Sequence, residues 1–192
     1  MRYYHKNGLV LTKIEKTDID LLKKLKDESW FGTHTVAIIN SDDQERWYNS
    51  TSVLVLKAYD AVSSLNDPVG IFKIDNQNSQ NRTASVGWDI FSKHRGKGHG
   101  KTLVKAGVDM CFEILNTHRL DAEILENNVA SQKCAQAAGF VLEGCRRKAV
   151  YRCGQYIDSF FFGILKSEWS LSVTEVCNNS FVPKDGTQIN KN

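Results

Sequence analysis

Apolar positions alternate, then fall three or four apart, then alternate again along most of the chain. In "GLVLTKI", Gly8 to Ile14, Leu9 and Leu11 alternate with polar partners late in the run, which predicts a first strand. Ile19, Leu22 and Leu25 lie on one face of a helix over "DIDLLKKLKDESW", with Thr17 placed to cap it. "SDDQERWYNS" predicts a short second helix, with Ser41 and Gln44 at capping-box spacing. "TSVLVLKAYDA" and "PVGIFKID" are β-branched and aromatic runs split by the turn-rich "SSLNDP", a hairpin pattern. The polar "NQNSQN" and a further strand, "RTASVGWDIF", follow. Helical spacing returns in "KTLVKAGVDMCFEIL", then "HRLDAEIL" reads as a strand. "VASQKCAQAA" is a short helix opened by Asn128 and stopped by Gly139. "FVLEGCRRKAVYRCGQYID" and "SFFFGILKSEW" predict two closing strands. From Ser170 the chain turns polar, so the expectation is one domain over 1–169 and a loosely held tail over 170–192.

Composition adds exclusions. A chain of 192 residues suffices for one good core. The formal charge of +3 is too mild to indicate nucleic-acid binding, and no apolar run reaches membrane-spanning length. The five cysteines, Cys111, Cys134, Cys145, Cys153 and Cys177, include no C-x-x-C pair. With no apolar leader in "MRYYHKNGLV", they read as reduced thiols of a cytoplasmic protein. The histidines are scattered, so no metal site is expected.

The candidate chemistry sits in "SKHRGKGHGKTLV", Ser92 to Val104, between a predicted strand and a predicted helix. That arrangement presents backbone N–H groups and a helix N-terminus to an anion. Two loop patterns each fail by one position. The triphosphate loop G-x-x-x-x-G-K-[ST] needs glycine where Arg95 stands, and the dinucleotide loop G-x-G-x-x-G needs it where Lys101 stands. The pattern Arg95-x-x-Gly98-x-Gly100 fits without a gap. Small residues there let the main chain approach a pyrophosphate, with Arg95, Lys97 and Lys101 adding positive charge.

R-x-x-G-x-G resembles the pyrophosphate loop of the GNAT superfamily of acetyl-CoA-dependent N-acetyltransferases. "HRLDAEILENNVASQKCAQAAGFVLEG" is similar to the segment that follows it there: strand, N-x-x-S, short helix, G-F, E-G. "GQYIDSFFFGILKSEW" is similar to the closing hairpin of the RimJ/RimL-like branch, and the resemblance runs from Gly8 to Trp169. It implies an α/β (α+β) fold: a mixed, mostly antiparallel sheet of about seven strands with helices on both faces, two central strands splaying around the cofactor. It also implies acetyl-CoA as cofactor and a small-molecule or peptide primary amine as acceptor. Such an acceptor is a protein N-terminal α-amine or an amino sugar, attacked directly in a ternary complex. Nucleic acid and membrane are not expected partners, and a homodimer is compatible with the pattern.

By position, the resemblance places cofactor contacts at Trp88, Asp89 and Ile90, whose amides would face the thioester carbonyl. It places them also along Arg95, Gly96, Lys97, Gly98, His99, Gly100 and Lys101, and at Asn128 and Ser131. Glu123 occupies the position of a family strand glutamate that serves as base; the alternative is a solvated glutamate on an exposed strand face. A base matters most for lysine-like amines, which cost about 4 kcal/mol to deprotonate at neutral pH against about 1 kcal/mol for an α-amine. Many relatives place a thiolate-protonating tyrosine seven residues after the motif asparagine; here that position is Ala135. The departure disfavours a polyamine substrate and turns attention to Ser131 as the acid, although Ser131 also fits as a plain third residue of the capped helix. Cys134 reads as a small buried filler. Trp30, Phe31 and Trp47 are candidates for the acceptor pocket, and Tyr151, Tyr156 and Asp158 lie in the closing hairpin. The rival functions are a non-catalytic acyl-CoA-binding module and a polyamine or other small-amine acetyltransferase.

Overall fold

Along the central strands, neighbouring side chains enter two different cores, because successive residues of a pleated strand point to opposite faces. The computed structural model describes residues 2–29, 40–50, 52–61 and 67–173, apart from the side chains of 41 and 170–173. Eight strands are seen among them: β1 (Arg2–Tyr4), β2 (Leu9–Lys13), β3 (Leu54–Asp60), β4 (Pro68–Asn78), β5 (Thr83–Ile90), β6 (Arg119–Leu125), β7 (Val141–Arg152) and β8 (Gln155–Leu165). They form one sheet in the order β1-β2-β3-β4-β5-β6-β8-β7. Each neighbouring pair is antiparallel except β5–β6. The mixed, mostly antiparallel sheet is as expected. The strand count is eight rather than about seven, because β1, three residues long, is too short to show alternation.

The helices are α1 (Ile19–Ser29), α2 (Ser41–Ser50), α3 (His99–Glu113), α4 (Val129–Ala137) and α5 (Lys166–Val173). Leu22 and Leu25 of α1 meet Val55 and Ile71 on one face of the sheet. Leu56, Phe72, Leu103, Phe112 and Ala135 belong to the larger core on the other face, beneath α3 and α4. At Gly107 a Cβ would lie 2.3 Å from the Phe72 ring, so the missing side chain is what lets α3 settle onto β4.

Four local expectations are corrected. One turn of 3₁₀ helix (Lys16–Asp18) precedes α1, and Asp18, not Thr17, holds its start: its carboxylate accepts from the Glu15 N–H at 2.7 Å. The capping box of α2 lies one residue upstream of Ser41. Asn40 Oδ1 accepts from the Asp43 N–H at 2.8 Å, and Asp43 accepts from the Asn40 N–H at 3.1 Å. That leaves Gln44 out of the cap. The closing strands turn at Cys153–Gly154 rather than after Asp158. Two successive positive φ angles, 46° and 84°, make the turn that suits the twist of a tight hairpin. Lys166–Trp169, expected as the end of the last strand, instead begin α5, because the strand stops at Leu165.

Asp109 ties the sheet edge to both ends of the domain. It accepts from Trp169 Nε1 at 2.6 Å on α5, and its other oxygen lies 2.8 Å from His5 Nε2. Burial works to raise its pKa, but the bonds from His5 and Trp169 outweigh this and hold the carboxyl below its ordinary value. A depressed folded pKa contributes stability that is present above the unfolded value and lost as pH falls through the folded one. Asp109→Asn is therefore expected to cost about 2 kcal/mol at neutral pH, in the range for hydrogen bonds to charged groups. The gap from the parent should narrow as pH falls below about 4, where the parent carboxylate also protonates. Thermal unfolding from pH 3 to pH 7 checks this; a gap that widens on acidification would refute it.

Candidate active site

β5 and β6 pair only over Thr83–Ser85 and Arg119–Asp121, after which they part. The edge of β5 that this exposes can be read from the register. Phe91 donates to the Val69 carbonyl at 3.1 Å, and Asp89 and Gly87 stand opposite Ile71 and Lys73. Amides alternate along a strand, so those of 87, 89 and 91 serve β4, while those of Trp88 and Ile90 face the gap. Two of the three expected carbonyl-facing amides are thus directed there. The third, Asp89, turns its amide to β4, and its carboxylate accepts from Lys73 Nζ at 2.9 Å.

The glycine loop joins this edge to α3. Gly98 is the N-cap of α3 with φ 86°, a left-handed conformation that a side chain would strain, and a Cβ built on it meets nothing within 4 Å. The space in front of the helix is therefore open. The amides of His99, Gly100 and Lys101 begin the helix, where N–H groups have no intrahelical acceptor. Gly100 is needed for close approach: its Cβ would lie 2.9 Å from Cys134 Sγ on α4. Arg95 braces the loop, with Nε donating to the Ile90 carbonyl at 2.9 Å and Nη2 reaching the Glu28 carbonyl and Ser29 Oγ, each at 3.1 Å.

A cavity of about 690 Å³ runs along the loop and over the start of α4. Its lining includes Trp88, Asp89, Ile90, Arg95, Gly96, Gly98, Gly100, Lys101, Asn128 and Ser131 from the expected set. Lys97 and His99 do not line it; the His99 ring instead meets His94 edge-on, with centroids 5.7 Å apart. Lys133, Asn127, Glu28 and Ser29 line it without having been anticipated. Lys133 was legible as one helical turn from the N-terminal residues of α4; Glu28 and Ser29 come from a distant helix and carried no signal.

A second cavity, of about 510 Å³, lies on the α1–α2 face and shares Trp88, Asp89, Asn128 and Ser131 with the first. Its floor follows the sheet register. Asp75, Ser85 and Asp121 form one row, with Lys73 and Gly87 in the next, and Glu123 stands on β6 two residues beyond Asp121. Leu22, Lys26, Gln44 and Trp47 cover it from the helices. Glu123 Oε1 accepts from Ser159 Oγ at 2.7 Å and lies 3.6 Å from Arg146 Nη1, so its carboxylate is held within the cavity wall. Lys73 and Asp75 were the recoverable signal, as two charges on one face of the otherwise apolar "PVGIFKID". Trp30 and Phe31 lie outside the described residues.

At the junction, Asn128 Oδ1 accepts from the Ser131 N–H at 3.1 Å, the expected cap, and Ser131 faces both cavities. Ala135 is fully buried and lines neither. Burial pushes the Cys134 thiol up from its ordinary pKa, against a partial pull from Lys101, so at neutral pH it is a thiol and not a nucleophilic thiolate. Trp88 Nε1 is buried without a hydrogen-bond partner among the described residues. The arrangement has open amides, free space at a helix start, flanking lysines and an orphaned donor. Those features fit an elongated, phosphate-bearing thioester meeting a second reactant across a shared wall.

Gly87 stands in the middle of the second cavity's floor, and a Cβ there meets nothing within 4 Å. Gly87→Leu is expected to fill that space and raise the KM for an acceptor at least tenfold, since about 1.4 kcal/mol of lost contact suffices. Cofactor affinity should stay within twofold, because the other cavity is untouched. Steady-state kinetics beside cofactor titration separates the two; equal losses in both would mean a general disruption.

Comparison with known proteins agrees with this geometry. The Acetyltransferase (GNAT) domain family matches residues 8–141. A prophage-derived uncharacterized N-acetyltransferase, YokL of Bacillus subtilis, is 25% identical over 171 residues, 88% of this chain and 97% of its own length. The L-amino acid N-acetyltransferase AaaT of Escherichia coli is 23% identical over 163 residues, 82% of this chain and 98% of its own. The fold is similar to that of a spermidine N-acetyltransferase from Vibrio cholerae, solved in complex with CoA and spermine. The TM-score is 0.79 at 23% identity, over 86% of this chain and 99% of the other. Among the described residues, no helix is long and apolar enough to cross a membrane.

Proposed function

The chain belongs to the GNAT acetyltransferase family of acetyl-CoA-dependent N-acetyltransferases, and from that premise we propose that it acetylates the α-amine of a peptide or small molecule, in the manner of the RimJ/RimL-like branch. The observation that carries the proposal is the meeting of two cavities at Trp88, Asp89, Asn128 and Ser131. Acetyl-CoA, lying along the loop cavity, supplies an activated acetyl group.

The chain's own groups do the rest. Main-chain amides from Gly98 into α3, with Lys101 and Lys133 alongside, hold the pyrophosphate. The Trp88 and Ile90 amides donate to the carbonyl oxygen as negative charge grows there, the usual low-cost stabilisation. Glu123 receives the proton of the attacking amine directly or through one water. The Ser131 hydroxyl donates to the departing sulfur, replacing the tyrosine absent at Ala135, and the Cys134 thiol is a second donor one turn away. Asn128 orients Ser131 by its cap.

Charge supports an ammonium-bearing acceptor over a nucleotide-linked sugar. Asp75, Asp89, Asp121 and Glu123 line the acceptor cavity with Lys26 and Lys73; Asp89 is paired with Lys73, Asp121 with Arg119, and Glu123 lies 3.6 Å from Arg146, which leaves Asp75 with no ion pair among the described residues. The same acidic floor favours a second reading, a polyamine acceptor. Release of free CoA thiol from acetyl-CoA against peptides, amino acids, amino sugars and spermidine tests both. Turnover with α-amines at least tenfold above spermidine in kcat/KM is expected. Preference for spermidine would establish the second reading, and binding without turnover on any amine would reduce the protein to an acyl-CoA-binding module.

A further inference from the structure

Gln44 is a polar side chain with 0% exposure, and among the described residues neither of its amide atoms has a hydrogen-bond partner. A buried unsatisfied amide is costly, and natural proteins keep one only where something else satisfies it. Its helix does not need it, because the cap of α2 is completed by Asn40 and Asp43. It is not core filler either, since it lines the acceptor cavity on the side away from the sheet.

Beside it in the same wall stands Lys26 of α1. Its Nζ lies 5.1 Å from the centroid of the Trp47 ring, and among the described residues it makes no ion pair with a carboxylate. Lys73, the other cavity lysine, is different: its Nζ is already paired with Asp89. Burial, reinforced by Lys73 and opposed by Asp89, holds the Lys26 ammonium below its ordinary pKa, as suits a cation short of a counter-charge. The cavity is thus bipolar. Carboxylates on the sheet side, of which Asp89 belongs to the shared wall, face an ammonium and an amide donor on the helix side.

We propose that the acceptor is an amine that also carries a carboxylate, with its amine toward Glu123 and its carboxylate held by Lys26 and Gln44. This rests on the acetyl-transfer reading and names its substrate class. One lysine donor and one amide donor match the two oxygens of a carboxylate. A second ammonium, as in a polyamine, would instead meet Lys26 with like charge.

The test compares two sets of acceptors: glycine, β-alanine, 5-aminopentanoate and glycylglycine, and the carboxamide of each. With the parent protein, the best carboxylate acceptor is expected to exceed its carboxamide by about tenfold or more in kcat/KM, the scale of one charge-assisted hydrogen bond. Lys26→Met should bring that ratio close to one, Lys26→Arg should keep most of it, and Gln44→Leu should reduce it. Calorimetric titration of the same pairs into protein saturated with CoA supplies a readout that needs no turnover, and CoA affinity reports that each variant is folded. Carboxamides equal to or better than carboxylates, in kinetics and in binding, would overturn the inference while leaving the acetyltransferase standing. Carboxylate-selective binding without turnover would support the inference and count against the enzymatic reading.

Discussion

Gly98→Val is expected to lower affinity for CoA about a hundredfold or more while the domain stays folded. Two costs add. Position 98 has φ 86°, where a β-branched residue pays a strain of about 1–3 kcal/mol. The new side chain also enters the open space before the first turn of α3, which is where the main-chain amides must touch a phosphate. Together about 3 kcal/mol is at stake, and 1.4 kcal/mol corresponds to tenfold. Gly144→Ala is the control: it lies on β7, has no positive φ and no close neighbour. Calorimetry with CoA on both variants decides the matter. Undiminished affinity in folded Gly98→Val would remove the loop as the cofactor cradle, and the proposed function with it.

Glu123→Gln is expected to lower kcat about a hundredfold, at the lower end of what a positioned general base contributes. The substitution preserves shape, and the amide oxygen can still accept from Ser159 Oγ, which lies 2.7 Å from Oε1 in the parent. What disappears is the capacity to take a proton. The loss should therefore grow with the basicity of the acceptor. It should be larger for a lysine-like amine, with about 4 kcal/mol of deprotonation to supply at neutral pH, than for an α-amine at about 1 kcal/mol. Raising the assay pH should recover part of the activity, because hydroxide and a deprotonated acceptor replace the base. A kcat within twofold of the parent at neutral pH, with the most basic acceptor, would return Glu123 to a structural partner of Ser159 and Arg146.

These two residues differ in how far they could be read in advance. Gly98 was legible because loop chemistry is local: the spacing of Arg95, Gly98 and Gly100, set between a strand and a helix, already says that main chain must come close to something. The same locality made Asn128 readable as the cap of α4, which it is. Locality also misled. Ser41 and Gln44 have capping-box spacing, yet Asn40 and Asp43 make the box, because Asn40 has a side-chain amide oxygen in reach of the Asp43 N–H. Arg95 lines the loop cavity as expected, and its Nε and Nη2 also bond to Ile90, Glu28 and Ser29, partners that no spacing could show.

By itself the sequence determined the order of elements from β2 to β6 and the strand–glycine loop–helix arrangement over Ser92 to Val104. Each depends on periods of two or 3.6 residues or on a run of six, within the reach of neighbouring residues. Only the tertiary structure decided that β5 and β6 separate after Ser85, that Asp89 turns its amide to β4, and that Gln44 and Lys26 line the acceptor space with, among the described residues, no hydrogen bond to the Gln44 amide and no carboxylate paired with Lys26. Strand register and the packing of α1 and α2 over the sheet set these, and both are contacts between residues far apart in the chain.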